Sequence, residues 1–301
     1  MNQNERKFLL VGDNPFHGIS HLSQERSRTR DNRIGTVDFA ADLVRVSSEN
    51  GADGFMFTVS ETTLSIISAL RNNGVLKNLD CYAIVPYAYE YVRLATQTGG
   101  VAGLAKRIGK EIAFSGNMRA IILGLKGLVF TDLNSILQTY LLYEISRIKS
   151  AAGKNVRLRS VLLHEIITEM GLAYNLDWLF KAYIDFMTKM RMEPGFETRN
   201  FAFLVNKFKE WHIDFGSCVF ATPFNKAGFQ MNPSRVRCED ALASISGPCV
   251  IAMSVLAAGY HKPPEAVEYL SRLPNIKGVV IGVSKESQAR ETFRLFDGLR
   301  K

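Results

Sequence analysis

Eight short apolar runs, each followed in turn by a stretch of helical spacing, limit the folds open to this chain more than any other feature. The runs fall at 7–12 (KFLLVG), 51–58 (GADGFMFT), 81–87 (CYAIVPY), 158–166 (LRSVLLHEI), 194–198 (PGFET), 217–224 (SCVFATPF), 249–255 (CVIAMSV) and 278–284 (GVVIGVS). Runs of this length between turn residues read as buried strands. Helices are expected over 37–50, where Phe39, Leu43 and Val46 recur at helical spacing and Thr36 can cap, and over 62–73, stopped by Gly74. Further helices are expected from Thr131 or Asp132 through Ile148 to near Gly153, and over 175–190. The rest run from 199 through Trp211, over 234–244, over 264–273 and over 285–299. Eight strands alternating with eight helices is the count of a (β/α)8 TIM barrel in the α/β class, and 301 residues suffice for one such domain, 1–301. A doubly wound sheet is the rival, but no GxGxxG follows the first strand.

One interval breaks the rhythm. About seventy residues separate Tyr87 from the fourth strand, more than a βα unit needs. The sequence predicts a helical insertion between strands 3 and 4, with a lid over the C-terminal face at 93–130. Val101, Leu104, Ile108 and Ile112 form an apolar stripe, Ile121–Val129 is apolar nearly all round, and Gly99-Gly100 supplies a hinge. Basic residues concentrate there: Arg93, Lys106, Arg107, Lys110, Arg119 and Lys126, opposed by Glu111 alone, in a chain of net charge +8. Such a surface suits an anionic ligand, or an anionic membrane face reached through 101–130. No nucleic-acid-binding motif is present, so no nucleic-acid partner is expected.

No apolar run is long enough to span a bilayer and no secretory leader is evident, so a cytoplasmic location is expected. The four cysteines, Cys81, Cys218, Cys238 and Cys249, lack metal or disulfide spacing and read as buried free thiols. Oligomerisation is left open by the sequence.

A barrel puts its chemistry on the loops that follow the strands. The first such loop, within VGDNPFHGISH at 11–21, spends two of five histidines, His17 and His21, beside the turn residues Asn14, Pro15 and Gly18. His164 ends the fourth strand, with Glu165 directly after it. Tyr87, Asn225 and Ser284 end the third, sixth and eighth, and Lys226 follows Asn225. The expected catalytic groups are His164, His17 and Tyr87. Asn14, His21, Glu165, Asn200, Asn225 and Lys226 are expected to contact substrate. Ser284 and Lys285, opening the last helix, are expected to hold a phosphate or carboxylate through the free N–H groups there. The histidines lack HxH or HExxH spacing, so no metal is expected.

Over 158–299 the chain resembles a divergent aldo-keto reductase barrel. VLLHEI is similar to that family's histidine-ended fourth strand, ETRNFAFLVNKFKEWHI to its Ser-Asn-Phe segment and helix, and VFATPFN to its sixth strand. CVIAMSVLAAG is similar to the seventh strand and its tail, and VVIGVSKESQARETF to the last strand and phosphate-binding helix start. The resemblance implies NADP(H), with Asn200 at the nicotinamide carboxamide. It also implies an Asp and a Tyr near strand two and a Lys ending strand three. FMFTVSETT and AIVPYAYE supply none of these in register, only His164 of the catalytic tetrad has a counterpart, and Ala221 stands where a glutamine is expected. The sequence therefore favours His-based acid–base chemistry, of lyase or isomerase type, on a small polar or anionic molecule. The alternatives are an NADP(H)-dependent reductase and a non-catalytic barrel docked on a membrane or partner.

Overall fold

A computed structural model describes residues 6–17, 36–87, 96–97, 106–108, 110–111, 132–153 and 155–300. Its eight strands are β1 (Phe8–Gly12), β2 (Gly54–Thr58), β3 (Asp80–Val85), β4 (Arg157–Leu163), β5 (Glu193–Glu197), β6 (Val219–Pro223), β7 (Cys249–Met253) and β8 (Ile276–Gly282). All pair in parallel with their sequence neighbours, and β8 pairs with β1 from Phe8↔Gly278 to Gly12↔Gly282, closing the barrel. The fold is a (β/α)8 TIM barrel.

The two-residue period of each strand sorts the side chains. Leu10, Met56, Tyr82, Ile84, Leu162, Val219, Ala221 and Ile251 pack together in the barrel interior, with Phe8, Met253 and Val280 against them. Their sequence neighbours Leu9, Val11, Phe55, Phe57, Val161, Phe196 and Phe220 face the surrounding helices. At the lower end Phe8 stacks on Tyr82, ring centroids 5.7 Å apart and nearly parallel. Gly278 makes room for it: a Cβ there would lie 2.4 Å from the Phe8 ring.

The helices are α1 (Val37–Glu49), α2 (Glu61–Asn72), α3 (Leu133–Ala152), α4 (Glu165–Ala173), α5 (Asp177–Lys189), α6 (Phe201–Glu210), α7 (Arg235–Ala243), α8 (Pro263–Ser271) and α9 (Glu286–Phe296). Local chemistry sets several ends. Asp132 caps α3 by accepting from Asn134 N, and Gly153 ends it at φ 85°. Ser60 and Thr63 form a reciprocal capping box on α2. Thr36 precedes α1 without a side-chain capping bond, unlike the sequence expectation. Cys81, Cys218, Cys238 and Cys249 are free thiols, the first three buried.

The sequence reading has no counterpart of α4, and it fails at strand four. It carried strand four to residue 166, whereas β4 stops at Leu163 and α4 begins at Glu165. The His164 backbone N still donates to Val85 O at 2.7 Å, but its side chain turns to cap the new helix. The expected 93–130 cover lies mostly outside the described residues. Of it, Lys106, Arg107, Ile108, Lys110 and Glu111 are helical. Arg107 pairs with Glu111 at 2.9 Å, and Glu111 accepts from the Tyr143 hydroxyl on α3. Among the described residues no helix is long and apolar enough to cross a membrane.

The tightest outer packing lies between β5, β6 and the helices α5 and α6. Phe196 meets Phe208 edge-on at 5.3 Å, Phe180 at 5.6 Å and Phe220 at 6.1 Å, and all four are fully buried. Tyr183 adds a polar stitch, donating to Val161 O and accepting from Gly195 N at 3.1 Å. Phe196→Ala removes the centre of this cluster and leaves a cavity. Equilibrium urea unfolding is expected to register a loss of about 3–5 kcal/mol, as for other buried Phe→Ala changes.

Candidate functional site

The strand period that fills the barrel also chooses what surrounds its mouth. His164 follows the inward positions Ser160 and Leu162 of β4, and Glu197 ends β5 opposite the outward Phe196. The pairing Leu163↔Phe196 is the last of the β4–β5 register, so His164, just past β4, and Glu197, at the end of β5, follow it on adjacent chain segments. Asp13 leaves β1 directly after Gly12 and is buried.

Asp13 organises the first loop. Its Oδ2 accepts from Thr58 N at 2.7 Å and from His17 Nε2 at 3.1 Å. A single turn, Asn14–His17, carries the imidazole back over the carboxylate, with Phe16 N donating to Asp13 O at 2.8 Å. The Asp13 carboxylate thereby selects the His17 tautomer protonated on Nε2. The His17 ring lies against that of Tyr87, centroids 5.4 Å apart. Gly282 at the end of β8 admits this loop, since a Cβ there would come within 3.0 Å of Pro15. Asn14 is exposed at the rim, and His21 lies outside the described residues.

His164 is held as a neutral imidazole. Its Nδ1 accepts from Ile166 N at 3.2 Å, so the proton resides on Nε2. Burial pushes its pKa below the ordinary histidine value, with Arg199 pushing the same way and Glu165 opposing. Glu165, the first residue of α4, pairs with the Arg199 guanidinium, and its N–H donates to Glu197 Oε2 at 3.3 Å. Glu197 sits among like charges. Desolvation, then the neighbouring Glu165 carboxylate, raise its pKa to about 8, helped by Asp13 and opposed by the Glu165 N–H and Arg199. The shift favours its protonated form near neutral pH.

Asn200 and Asn225 have local duties. Glu169 on α4 accepts from the Thr198 hydroxyl at 2.6 Å, Arg199 N at 3.0 Å and Asn200 N at 3.2 Å, and its other oxygen accepts from Asn200 Nδ2 at 3.3 Å. Asn225, fully buried, donates to Phe229 O at 2.9 Å and accepts from Phe229 N at 2.8 Å, so both ends of its amide are engaged within its own loop. Lys226 is exposed on that loop. Lys285, not Ser284, is the N-cap of α9, and it makes no side-chain capping bond. Ser284 N and Oγ both donate to Gln288 Oε1, at 3.0 and 3.3 Å. After β7, Ser254, Ala257 and Ala258 adopt left-handed backbone, and Ser254 Oγ donates to Gln230 Oε1 at 3.3 Å, tying the sixth loop to the seventh. No group of three or more His, Cys, Asp or Glu able to hold a metal occurs among the described residues.

The barrel thus gathers His17, Tyr87, His164 and Glu165 around its mouth, and adds Asp13, Glu197 and Arg199, which the sequence reading passed over. Two signals for them were present. Asp13 precedes His17 by four residues in one tight loop, and Glu197 alternates with an apolar Phe196 at a strand end.

No family model matches the chain, and no curated protein matches it. Solved structures do. Two from Pseudomonas aeruginosa, each described as a "putative aldo-keto reductase", superpose with a TM-score of 0.57 at 10% identity. One alignment covers 98% of this chain and 91% of that one, the other 97% and 90%. At this identity the likeness is one of fold, and it extends over the whole barrel, beyond the 158–299 segment that carries the sequence resemblance.

Removing the Asp13 carboxylate strips two donors of their acceptor inside the first loop. Asp13→Ala is expected to cost about 1.5–3 kcal/mol in chemical denaturation, the range for hydrogen bonds to charged groups, and Asp13→Asn less because an acceptor remains.

Proposed function

We propose that this chain is an oxidoreductase of the aldo-keto reductase kind, acting on the carbonyl of a small polar molecule with a nicotinamide dinucleotide. The observation that carries the reading is His164. It follows β4 directly, as a neutral imidazole whose Nε2–H has no partner among the described contacts, after the strand that the family resemblance pairs with the reductase histidine strand. The barrel-wide likeness to aldo-keto reductase structures supports the oxidoreductase reading over the lyase or isomerase reading that the missing tetrad favours.

The residues present fit the cofactor at two points. The first turn of α9 carries no side-chain cap, and the exposed Lys285 stands at that end, a fit for phosphate. Asn200 Oδ1 accepts no bond among the described contacts, so it is free for a carboxamide N–H. Ser284, Lys285 and Asn200 would hold the dinucleotide, which when bound supplies hydride to the carbonyl carbon. The chain's own part is to bind and polarise. His164 Nε2–H donates to the carbonyl oxygen as negative charge develops there. Asp13 fixes His17, whose Nδ1 is left to accept a substrate hydroxyl. Tyr87 walls the same side.

A redox-neutral reading keeps one specific support. The Asp13–His17 pair is a carboxylate-oriented histidine, the arrangement of a general base that needs no cofactor. It would abstract a proton next to a carbonyl.

Titration with NADPH, followed by fluorescence and calorimetry, separates the two. The oxidoreductase reading expects micromolar binding that Lys285→Ala weakens about tenfold, the worth of one charge-assisted contact. Absence of binding, with solvent deuterium entering a small hydroxycarbonyl compound by NMR, would establish the redox-neutral reading. Under either reading His164→Ala is expected to melt close to wild type and to lower turnover about a hundredfold or more.

A further inference from the structure

Glu197 is an acidic group of the mouth that neither the family resemblance nor the polarising role of His164 uses. It ends β5 on the inward face, on the chain segment adjacent to that of His164. Its Oε2 accepts from Glu165 N at 3.3 Å, while its Oε1 has no partner among the described contacts. The charged groups around it come from three elements. They are Asp13 after β1, Glu165 at the start of α4, and Arg199 after β5. Arg199 is committed to Glu165, so Glu197 faces two carboxylates without a cation of its own.

We propose that Glu197 is a further catalytic residue, the carboxylic acid that delivers a proton from Oε1 to the substrate oxygen polarised by His164. The inference rests on the oxidoreductase reading. In the reductive direction, a bound reduced nicotinamide dinucleotide would supply the hydride pair for the new C–H bond. The carbonyl π pair moves onto oxygen, and that oxygen takes the Glu197 proton. The Glu197 O–H bond breaks with its pair left on the carboxylate. The carbonyl would thereby be reduced to an alcohol and the dinucleotide oxidised. The nascent carboxylate keeps the Glu165 N–H and lies near Arg199, and solvent restores the proton. Like-charge neighbours supply the driving force, because the acid is relieved of its proton only when the substrate oxygen has become the stronger base.

Infrared difference spectroscopy of the full chain, without cofactor or substrate, tests the proton directly. The carbonyl stretch of a protonated carboxylic acid is expected to persist well above the ordinary carboxylate range and to titrate out near pH 8. Glu197→Gln should abolish it. Glu165→Gln should move its midpoint to lower pH, because one like charge is gone and Arg199 is released toward Glu197. The two variants are independent, so a folding defect in the first leaves the second decisive. With NADPH and glyceraldehyde, Glu197→Gln is expected to lower kcat about a hundredfold or more with little change in KM, and to remove the alkaline limb near pH 8. A wild-type protein with no such band above about pH 6, where an ordinary glutamate is ionised, overturns the proposal. So does a Glu197→Gln variant with wild-type kcat. A band that behaves as described in a protein that does not bind NADPH refutes the oxidoreductase reading and, with it, this use of the proton.

Discussion

Closure of the barrel through β8 and β1 is the constraint on which the rest depends. Once eight parallel strands close, each residue is assigned to the interior or to the helix layer by its place in a two-residue period. Leu10 and Met56 then fill the barrel while Leu9 and Phe55 bind the helices to it. The same parity, continued past the last apolar layer, sends His164 and Glu197 into the mouth. The packing of the barrel and the lining of its mouth thus follow from one register, and a slip of a single residue would disturb both.

The mouth is a place where neighbouring carboxylates are kept apart by what each is bonded to. Asp13 spends its charge on the Thr58 N–H and His17. Glu165 spends its charge on Arg199, and Glu169 is surrounded by four donors of the β5 loop. Glu197 receives only the Glu165 N–H, and burial beside the Glu165 carboxylate pushes it toward the acid form. Similar side chains within one rim therefore meet different sets of hydrogen-bond partners.

Much of the barrel was legible because strands and helices differ in period, and a helix-bounded apolar run of five to seven residues has few other readings. The error at 158–166 has a physical cause. His164 satisfies a strand partner through its backbone N while its side chain caps a helix, so the pattern stays apolar across the boundary. Strand-end positions such as His164 and Tyr87 could be placed in advance, since topology alone puts them at the mouth. Asn225 and Glu197 could not be told apart by position. Whether a strand-end polar group folds back on its own loop, as Asn225 does on Phe229, depends on loop bonding that spacing does not reveal. Spacing points to the Asp13–His17 pair but not to the other bond of Asp13, whose donor is a backbone N–H forty-five residues away.

The Glu169 clasp has a mechanical meaning. One side chain in the middle of α4 grips three consecutive residues of the β5 loop, at Thr198, Arg199 and Asn200. The Glu165–Arg199 pair adds a second fastening one helical turn away. Helix and loop are therefore a single stiff segment of the rim, and tilting either one drags the other. Ile166 and Met170 of α4, with Tyr174 at its C-terminal end, are exposed on the surface. Any force that leans on those three side chains reaches Asn200 through two hydrogen-bonded carboxylates, with no soft joint between.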